Sequence, residues 1–263
     1  MCTVVVLRGV LPEHPLAIVA NRDEILTRPS APPRVLHEHP RAIGGVDLES
    51  GGSWMGANDR GLFVALTNQR SAEPPRRDRR SRGEVVVRAL AEEDPAGIAS
   101  VLGSLDAREY NPFNLIFGTP DDLRVAYARD DRRAVELEPV APGIRVLPND
   151  RLGSPDFPKI ERAERRAREA LGDDGALLRI LADHELPPEH AIAPMAPAPS
   201  GSARFPPEIL RALQALCIHL PFYGTVSATA ILYGPDGRVA RYLFADGPPC
   251  STPFRDLTAL LNG

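Results

Sequence analysis

The residue best placed for chemistry is Cys2, the second residue of the chain. Methionine aminopeptidases generally remove an initiator methionine when the next side chain is small, so we expect a mature chain that begins with a thiol beside a free α-amine. An α-amine has a reference pKa of about 7.8, so about 14% of it is unprotonated at neutral pH. This amine can take the proton of its own thiol, which is how N-terminal nucleophiles are activated.

The segment after Cys2 predicts a hairpin that positions the thiol. Residues 3–7 form a β-branched run and residues 16–20 a second apolar run, and the stretch between them contains Gly and Pro. If the two runs pair antiparallel, residue numbers across the pair sum to about 23. The residues that this register places beside Cys2 are Asn21, Arg22, Asp23 and Glu24.

These four polar side chains have two interpretations. An arginine can stabilise a thiolate or a substrate carboxylate, and a carboxylate can hold and orient an amine. Under this interpretation the tetrad surrounds the nucleophile. The alternative is a strand end that emerges into solvent, where charged residues are ordinary.

The opening of the chain also resembles a known family. MCTVVV followed by VANRDEILTRPS is similar to the start of the NRDE proteins, the family of transport and Golgi organization protein 2. The resemblance continues in order across roughly residues 1–246. The further blocks are GGSWMG at 51–56, GLFVALTN at 61–68, RGEVV at 82–86, YNPFNLIFG at 110–118, PG and VLPN within 142–149, and YGT at 223–225. The fold that this resemblance implies is α+β, a four-layer αββα Ntn-hydrolase-like sandwich of two mostly antiparallel sheets.

The resemblance also implies the remainder of a site, by way of the wider choloylglycine hydrolase and penicillin V acylase group. Asn68 would supply oxyanion donors, and one such donor is worth about 3 kcal/mol. Asn149 would anchor the terminal amine or the substrate. Each asparagine has the alternative of a structural role at a strand end. The matching blocks also contain Trp54, Asn114 and Thr225, which we expect to line or support the pocket.

Two departures from the family pattern bear on activity. Many relatives have arginine after YGT, whereas this chain has Val226. Relatives also often have a small hydroxyl residue before the asparagine that matches Asn149, whereas this chain has Pro148. Arg22 is then the main candidate for a positive charge at the site. Whether Asp23 or Glu24 takes the place of the acylases' aspartate depends on strand register. Fold therefore transfers from the family better than activity does.

Composition argues against several other functions. The chain has 31 basic and 35 acidic residues, a net charge of −4, which does not favour nucleic acid. Lys159 is the only lysine and lies in a charge-dense amphipathic stretch, so we expect it on a solvated helix surface, away from P-loop or Schiff-base chemistry. No apolar run approaches the roughly 18 residues of a membrane span. The first apolar run is too short for a signal peptide, so we expect a cytoplasmic protein.

The remaining cysteines and histidines do not predict a metal centre. Cys217, in a helical context, and Cys250 are far apart and form no CxxC pair, so we interpret both as structural. His37 and His39 form an HxH in a proline-rich loop without a third ligand at an expected spacing. Three further histidines are scattered, namely His184, His190 and His219. We expect no metal and no required cofactor.

The order of elements predicts one domain over residues 1–263, with mobile loops near 70–82 and 186–207. A hairpin is expected at 54–57 and 62–67, and a last one at 225–233 and 238–244. The other predicted strands are 113–118, 123–128, 134–137 and 144–147. The predicted helices are 83–93, one that starts at Asp94-Pro95, 156–171, 175–184 and 208–217.

The leading hypothesis is an N-terminal-cysteine amidohydrolase or acyltransferase that acts on a small amide or thioester. A second hypothesis is a non-catalytic carrier whose pocket holds haem or an acyl-coenzyme A, because the family resemblance implies haem trafficking or lipid metabolism. A third is a purely structural interaction protein. The expected partner is a small molecule, and the sequence does not predict an oligomeric state.

Overall fold

The computed structural model describes residues 2–71, 74–192 and 206–262. Its strands are β1 (Thr3–Arg8), β2 (Leu16–Ile25), β3 (Ser30–Glu38), β4 (Arg41–Asp47), β5 (Met55–Asn58), β6 (Phe63–Asn68), β7 (Phe113–Gly118), β8 (Leu123–Ala128), β9 (Glu136–Pro139), β10 (Gly143–Leu147), β11 (Tyr223–Tyr233), β12 (Val239–Ala245) and β13 (Arg255–Asp256). Its α-helices are α1 (Arg82–Leu90), α2 (Pro95–Gly103), α3 (Lys159–Glu169), α4 (Asp174–Arg179), α5 (Pro207–Ala212) and α6 (Ala259–Asn262).

The strands form two sheets, and within each sheet all described strand pairs are antiparallel. The first sheet has the order β10-β1-β2-β11-β12-β13, and the second runs from β3 to β9 in chain order. Short connections place most consecutive strands of the second sheet side by side, whereas β6 and β7 are neighbours although α1 and α2 lie between them in the chain.

Three apolar clusters separate four layers. The central cluster joins the two sheets and contains Val4, Ile18 and Phe63. A second cluster lies between the first sheet and α3 and α4, and a third lies between the second sheet and α1 and α2. The central strands bury alternate side chains on opposite faces, so the middle of each sheet is covered on both sides, whereas the edge strands β9 and β13 contain no buried residue. The α+β fold of four αββα layers predicted from the sequence is confirmed.

The register of the first hairpin is confirmed. Thr3 pairs with Asn21 and Arg8 with Leu16, so paired residue numbers sum to 24. Continuing this register by one residue places Cys2 level with Arg22. The hairpins β5–β6 and β11–β12 and the strands β7, β8 and β10 also lie where the sequence predicts them.

Some elements differ from the prediction. The proline-rich segment expected to be a loop forms β3, and His37 lies in this strand with Nδ1 3.0 Å from the carbonyl oxygen of Pro40. The sequence predicted a helix over residues 208–217, but helix α5 ends at Ala212 and Cys217 lies outside it. The chain turns and bends over residues 213–217 instead, and the Cys217 amide donates to the carbonyl of Asp183.

Lys159 overturns the prediction of a solvated lysine. Its side chain is completely buried, on the same face of α3 as Ala163 and Ala167. Its Nζ atom has no hydrogen-bond partner among the described residues. The density of charge around Lys159 in the sequence misled the prediction, because its position at i, i+4 and i+8 with the two alanines is that of a core residue.

Parts of the two predicted mobile loops, residues 72–73 and 193–205, lie outside the described residues, as does Met1. Among the residues that are described, no helix has both the length and the apolar character needed to cross a membrane.

Candidate functional site

Cys2 lies just before β1, at the edge where the two sheets meet. Its neighbours Val4 and Val6 point between the sheets, and Cys2 shares that side of the strand. The partly exposed thiol faces a narrow pocket that also contains Arg22 and Trp54. The backbone of Asp23 acts on the thiol to lower its pKa.

The predicted polar tetrad divides between the two faces of β2. Ile18 and Ala20 belong to the core between the sheets, whereas Ala17 and Val19 face α3 and α4. By the same alternation, Arg22 and Glu24 lie on the inter-sheet face, and Asn21 and Asp23 face the helices. The tetrad therefore divides between two sides of one strand and does not surround Cys2 in a single pocket.

Arg22 is held rigidly on the Cys2 side. Its guanidinium lies 4.4 Å from the centroid of the Trp54 ring, and the side chain is 5% exposed. Its Nη1 donates to Ser30 at 3.3 Å, and its Nη2 lies 3.5 Å from an Asp47 carboxylate oxygen. This packing fixes a positive charge beside the thiol, where it favours the thiolate.

Asp23 is fixed by β11. The Thr225 hydroxyl donates to Asp23 Oδ1 at 2.6 Å, and the Tyr223 hydroxyl donates to the Asp23 carbonyl at 2.7 Å. Burial raises the pKa of the Asp23 carboxyl, while the charge of Lys159 and the Thr225 hydrogen bond act in the opposite direction. Glu24 is less buried, accepts from the Ile25 amide, and lies 3.9 Å from Arg28.

The buried Lys159 interacts electrostatically with Asp23 and Cys2. Burial lowers the pKa of the Lys159 amine, and negative charge on Asp23 or Cys2 raises it. Because Lys159 is buried and not solvated, its position on a helix surface no longer excludes it from chemistry. A buried amine with a lowered pKa is a group that can be neutral near neutral pH.

Asn21 ties β2 to two distant segments. Its Nδ2 donates to the carbonyls of Leu181 and Leu216 at 2.9 and 2.8 Å. The side chain is 1% exposed, so neither carbonyl has ready access to water as a substitute donor. Asn21 is thus a structural support beneath the Cys2 end of the sheet.

The two asparagines predicted to complete the site lie side by side. Asn149 is buried and its Nδ2 donates to the Asn68 carbonyl at 2.8 Å. Asn149 Oδ1 has no hydrogen-bond partner among the described residues, so it can accept from an amine. Asn114 supports this arrangement, because its Nδ2 donates to Thr67 at 3.0 Å and to the Asp150 carbonyl at 2.9 Å.

The Cys2 thiol is not strongly activated by its surroundings. Burial raises its pKa, and the charge of Asp23 adds to the rise, while the Asp23 N–H and the charge of Arg22 lower it. The balance is a pKa above the ordinary value for a cysteine. The thiol therefore needs a base to react at neutral pH, and the predicted base is its own α-amine.

A cleft of about 630 Å³ opens beside the asparagines. One wall is apolar and includes residues from α5 and from the segment before β11. The apolar residues of this wall are Phe157, Ile209, Leu210, Leu213, Leu220 and Phe222. Four arginines also line the cleft, namely Arg70, Arg76, Arg79 and Arg82, and the Arg70 guanidinium lies 5.3 Å from the centroid of the Phe157 ring. Cys2 faces the separate narrow pocket, while Asn68, Asn149 and Tyr223 line the cleft.

Arg82 is a site residue that the sequence argument missed. Burial lowers its pKa, while negative charge on Glu24 or Cys2 raises it, and its side chain lines the cleft together with Asn68 and Asn149. It makes no ion pair with the residues that the structure describes. Arg82 opens the RGEVV block, so the family resemblance contained a signal for it.

The departure at Val226 has a structural counterpart. Thr225 pairs with Asp23 and Ser227 with Arg22, so Val226 is the extra residue of a β-bulge. The bulge lets Thr225 turn its hydroxyl towards Asp23. At the other departure, the Pro148 carbonyl accepts from Thr67 at 2.9 Å, which attaches the segment before Asn149 to β6.

The structure also gathers four side chains that the sequence analysis treated as unrelated. They are His184, Cys217, His219 and Cys250. Their potential ligand atoms all lie within 4.8 Å of one another. Distance along the sequence therefore did not keep Cys217 and Cys250 apart, since the fold brings these residues, 33 positions apart, into contact at 3.8 Å.

Comparison with known sequences identifies relatives over most of the chain. The family model described as Transport and Golgi organisation 2 matches residues 1–242. A Transport and Golgi organization protein 2 homolog from Bos taurus is 32% identical over 245 residues, covering 85% of this chain and 84% of the relative. The Homo sapiens homolog is 31% identical over 238 residues with the same coverage.

Comparison with solved structures gives the same fold at low identity. A Cys-to-Ala mutant of conjugated bile acid hydrolase from Clostridium perfringens aligns with a TM-score of 0.55, 10% identity, and coverage of 99% of this chain and 94% of that chain. Penicillin V acylase from Agrobacterium tumefaciens aligns with a TM-score of 0.53, 12% identity, and coverage of 98% and 86%. These neighbours have the Ntn-hydrolase fold.

Proposed function

The chain belongs to the Transport and Golgi organisation 2 family, and we propose that it is an N-terminal-cysteine amidohydrolase or acyltransferase that acts on a small amide or thioester. The proposal assigns the nucleophile to Cys2 and the base to the α-amine that Met1 removal would expose. Arg22 and Asp23 tune this pair, and Asn68 and Asn149 complete the polar part of the site.

The observation that supports this proposal is the register of β1 and β2. That register sets the thiol level with Arg22 and beside the backbone of Asp23. Arg22 and Asp23 are each less than 6% exposed, so two ionisable groups on opposite faces of β2 are buried near the thiol despite the cost of burying charge. The fold shared with bile acid hydrolase and penicillin V acylase makes acyl chemistry the first choice.

The proposed reaction proceeds in two steps. The α-amine takes the thiol proton as Cys2 Sγ attacks the acyl carbonyl, and the negative charge passes to the carbonyl oxygen. Collapse of this tetrahedral intermediate breaks the C–N or C–S bond, the leaving group takes the proton, and a thioester remains on Cys2. Water or another acceptor then attacks the thioester, which releases the acyl group and restores the thiol.

Replacement of Cys2 tests the proposal. We expect Cys2→Ala, with Met1 removal verified by intact mass, to abolish turnover of a panel of N-acyl 4-nitroanilides and acyl-coenzyme A thioesters. Cys2→Ser keeps a weaker nucleophile at the same position and is expected to retain a small fraction of the rate. Turnover by Cys2→Ala equal to that of the parent protein would contradict the mechanism.

The shape of the cleft favours one second function, a non-catalytic carrier of an acyl-coenzyme A or another anionic lipid. The cleft joins an apolar wall to arginines, and Arg79 and Arg82 make no ion pair within the described part of the chain. Calorimetry with palmitoyl-coenzyme A and spectral titration with haem separate the two functions. Saturable binding that survives Cys2→Ala, without turnover by the parent protein, would favour the carrier.

A further inference from the structure

Three segments far apart in sequence bring four metal-ligating side chains together beside the start of β11 and the end of β12. His184 follows the short helical turn Ile180–Ala182, Cys217 and His219 precede β11, and Cys250 follows β12. Their potential ligand atoms lie within 4.8 Å of one another. We infer that these four residues form a structural zinc site of the Cys2His2 type.

The distances match tetrahedral zinc. With Zn–S bonds of about 2.3 Å and Zn–N bonds of about 2.0 Å, a tetrahedron places two sulfurs about 3.8 Å apart and a sulfur and a nitrogen about 3.5 Å apart. The two sulfurs, Cys217 Sγ and Cys250 Sγ, are 3.8 Å apart. His219 Nε2 lies 3.5 Å from Cys217 Sγ and 3.4 Å from Cys250 Sγ. Three donors therefore already occupy three corners of one tetrahedron.

His184 provides the fourth corner. Its Nδ1 lies 3.3 Å from the Cys217 carbonyl oxygen, which can only accept, so Nδ1 carries the proton. In the neutral ring the other nitrogen, Nε2, is then free to bind a metal. A ligating histidine that donates its second N–H to a backbone carbonyl is the usual arrangement at zinc sites. The centroids of the two imidazole rings are 4.9 Å apart, which is close enough for both to face one ion.

The donor set selects the metal and the role. Two thiolates and two imidazoles in tetrahedral arrangement suit zinc, and four protein ligands leave no open position for a substrate. Binding one Zn²⁺ to two thiols and two neutral histidines releases two protons from the cysteines. The site is therefore structural, and it is distinct from the Cys2 site in residues and chemistry.

The backbone around the cluster is already ordered to hold these ligands. The Cys217 amide donates to the Asp183 carbonyl at 2.8 Å, which joins the two ligand-bearing segments. His219 forms an isolated β-bridge with Gly224. The residue between the two ligands, Ile218, pairs its amide with the Thr225 hydroxyl at 2.9 Å, and that hydroxyl donates to Asp23. Zinc would thus brace the segment that fixes Asp23.

Metal analysis of the full-length chain tests the site. We expect reduced protein, stripped with a chelator and reloaded with zinc sulfate, to hold one zinc ion per chain after gel filtration. Cobalt(II) in place of zinc is expected to give the intense visible bands of a tetrahedral thiolate complex. Zinc removal is expected to lower the melting temperature, because the metal binds only the folded arrangement.

Ligand variants assign the site. Cys250→Ser and His219→Asn are expected to weaken zinc binding by at least about tenfold. His190→Asn, a histidine outside the cluster, and Cys2→Ala, a cysteine outside it, serve as matched controls and are expected to keep one zinc. Retained zinc in Cys2→Ala, whatever happens to turnover, separates this inference from the proposed function.

Three results would overturn the inference. One is less than stoichiometric zinc in parent protein whose thiols are shown to be reduced. Another is full zinc binding and unchanged cobalt bands in Cys250→Ser. The third is a Cys217–Cys250 disulfide in freshly purified protein that binds no metal after reduction, which would assign the two cysteines to a redox pair.

Discussion

The protonation state of Cys2 decides whether the proposed chemistry can start. Burial raises the pKa of its thiol, so a reaction at neutral pH depends on the α-amine of Cys2 as a base. That amine is free only after Met1 is removed, because until then its nitrogen belongs to a peptide bond. We expect the intact mass of the purified chain to lack one methionine. A mass that retains methionine, together with turnover, would show that the amine is not the base.

Lys159 carries the second prediction for a single residue. Its pKa is lowered in the folded state, so the unfolded chain binds more protons between that pKa and about 10.4. The free energy of unfolding must therefore rise with pH across this window. We expect Lys159→Met to flatten that rise and to increase the free energy of unfolding near neutral pH by about 1–3 kcal/mol, because it removes an unpaired buried amine.

Urea denaturation at several pH values measures both effects. Arg168→Met is the matched control on the same helix, because Arg168 is exposed and only pairs with Glu164 at 3.0 Å. This control is expected to change the unfolding free energy by less than about 0.5 kcal/mol. A loss of stability in Lys159→Met at neutral pH would instead show that its ammonium forms an ion pair with the Asp23 carboxylate.

At the level of elements, Asn21 links β2 to the segments that carry His184 and Cys217. Asn21→Ala would leave the carbonyls of Leu181 and Leu216 without their donor in a buried place. We expect a loss of about 2–4 kcal/mol, from two unsatisfied groups of about 1–2 kcal/mol each. Chemical denaturation measures this loss.

Asn111 provides the matched control for Asn21. It also makes two backbone hydrogen bonds, both with Arg76, but in an exposed position. Water can replace these bonds, so Asn111→Ala is expected to cost less than about 1 kcal/mol. Equal losses for the two variants would show that burial of the Asn21 bonds contributes nothing.

The elements themselves were largely predictable where the pattern is local. The cap of α2 follows from Asp94-Pro95, and Asp94 Oδ1 accepts from the Gly97 amide at 2.7 Å. The β1–β2 register follows from two apolar runs and one turn. Strand β3 was missed because Pro32 and Pro33 suggest a loop, but β3 is an edge strand of its sheet, where proline is tolerated.

At the scale of the whole molecule, the charge of the residues that line the cleft differs in sign from the net charge of the chain. The net charge is −4, yet the cleft is lined by four arginines and only two aspartates, Asp130 and Asp156. We expect Arg82→Ala to weaken the binding of palmitoyl-coenzyme A about tenfold at low salt, which is about 1.4 kcal/mol. Higher ionic strength should reduce the difference, because salt screens exposed charges.

Calorimetry at two salt concentrations measures this effect. Arg34→Ala is the matched control, since Arg34 is exposed on β3 and does not line the cleft. It is expected to leave the affinity unchanged. Equal weakening by both variants would assign the effect to net charge and not to the cleft.

The sequence by itself determined the family, the layered α+β fold and the placement of Cys2 beside Arg22 and Asp23. The family follows from contiguous motifs, the fold is what the family resemblance implies, and the placement of Cys2 depends on a hairpin whose partners are close in the chain. Only the tertiary structure decided that Lys159 is buried, that Arg82 reaches the site, and that two histidines and two cysteines meet. These contacts join side chains tens of residues apart, and their distances depend on how sheets and helices pack, which no local pattern of residues encodes.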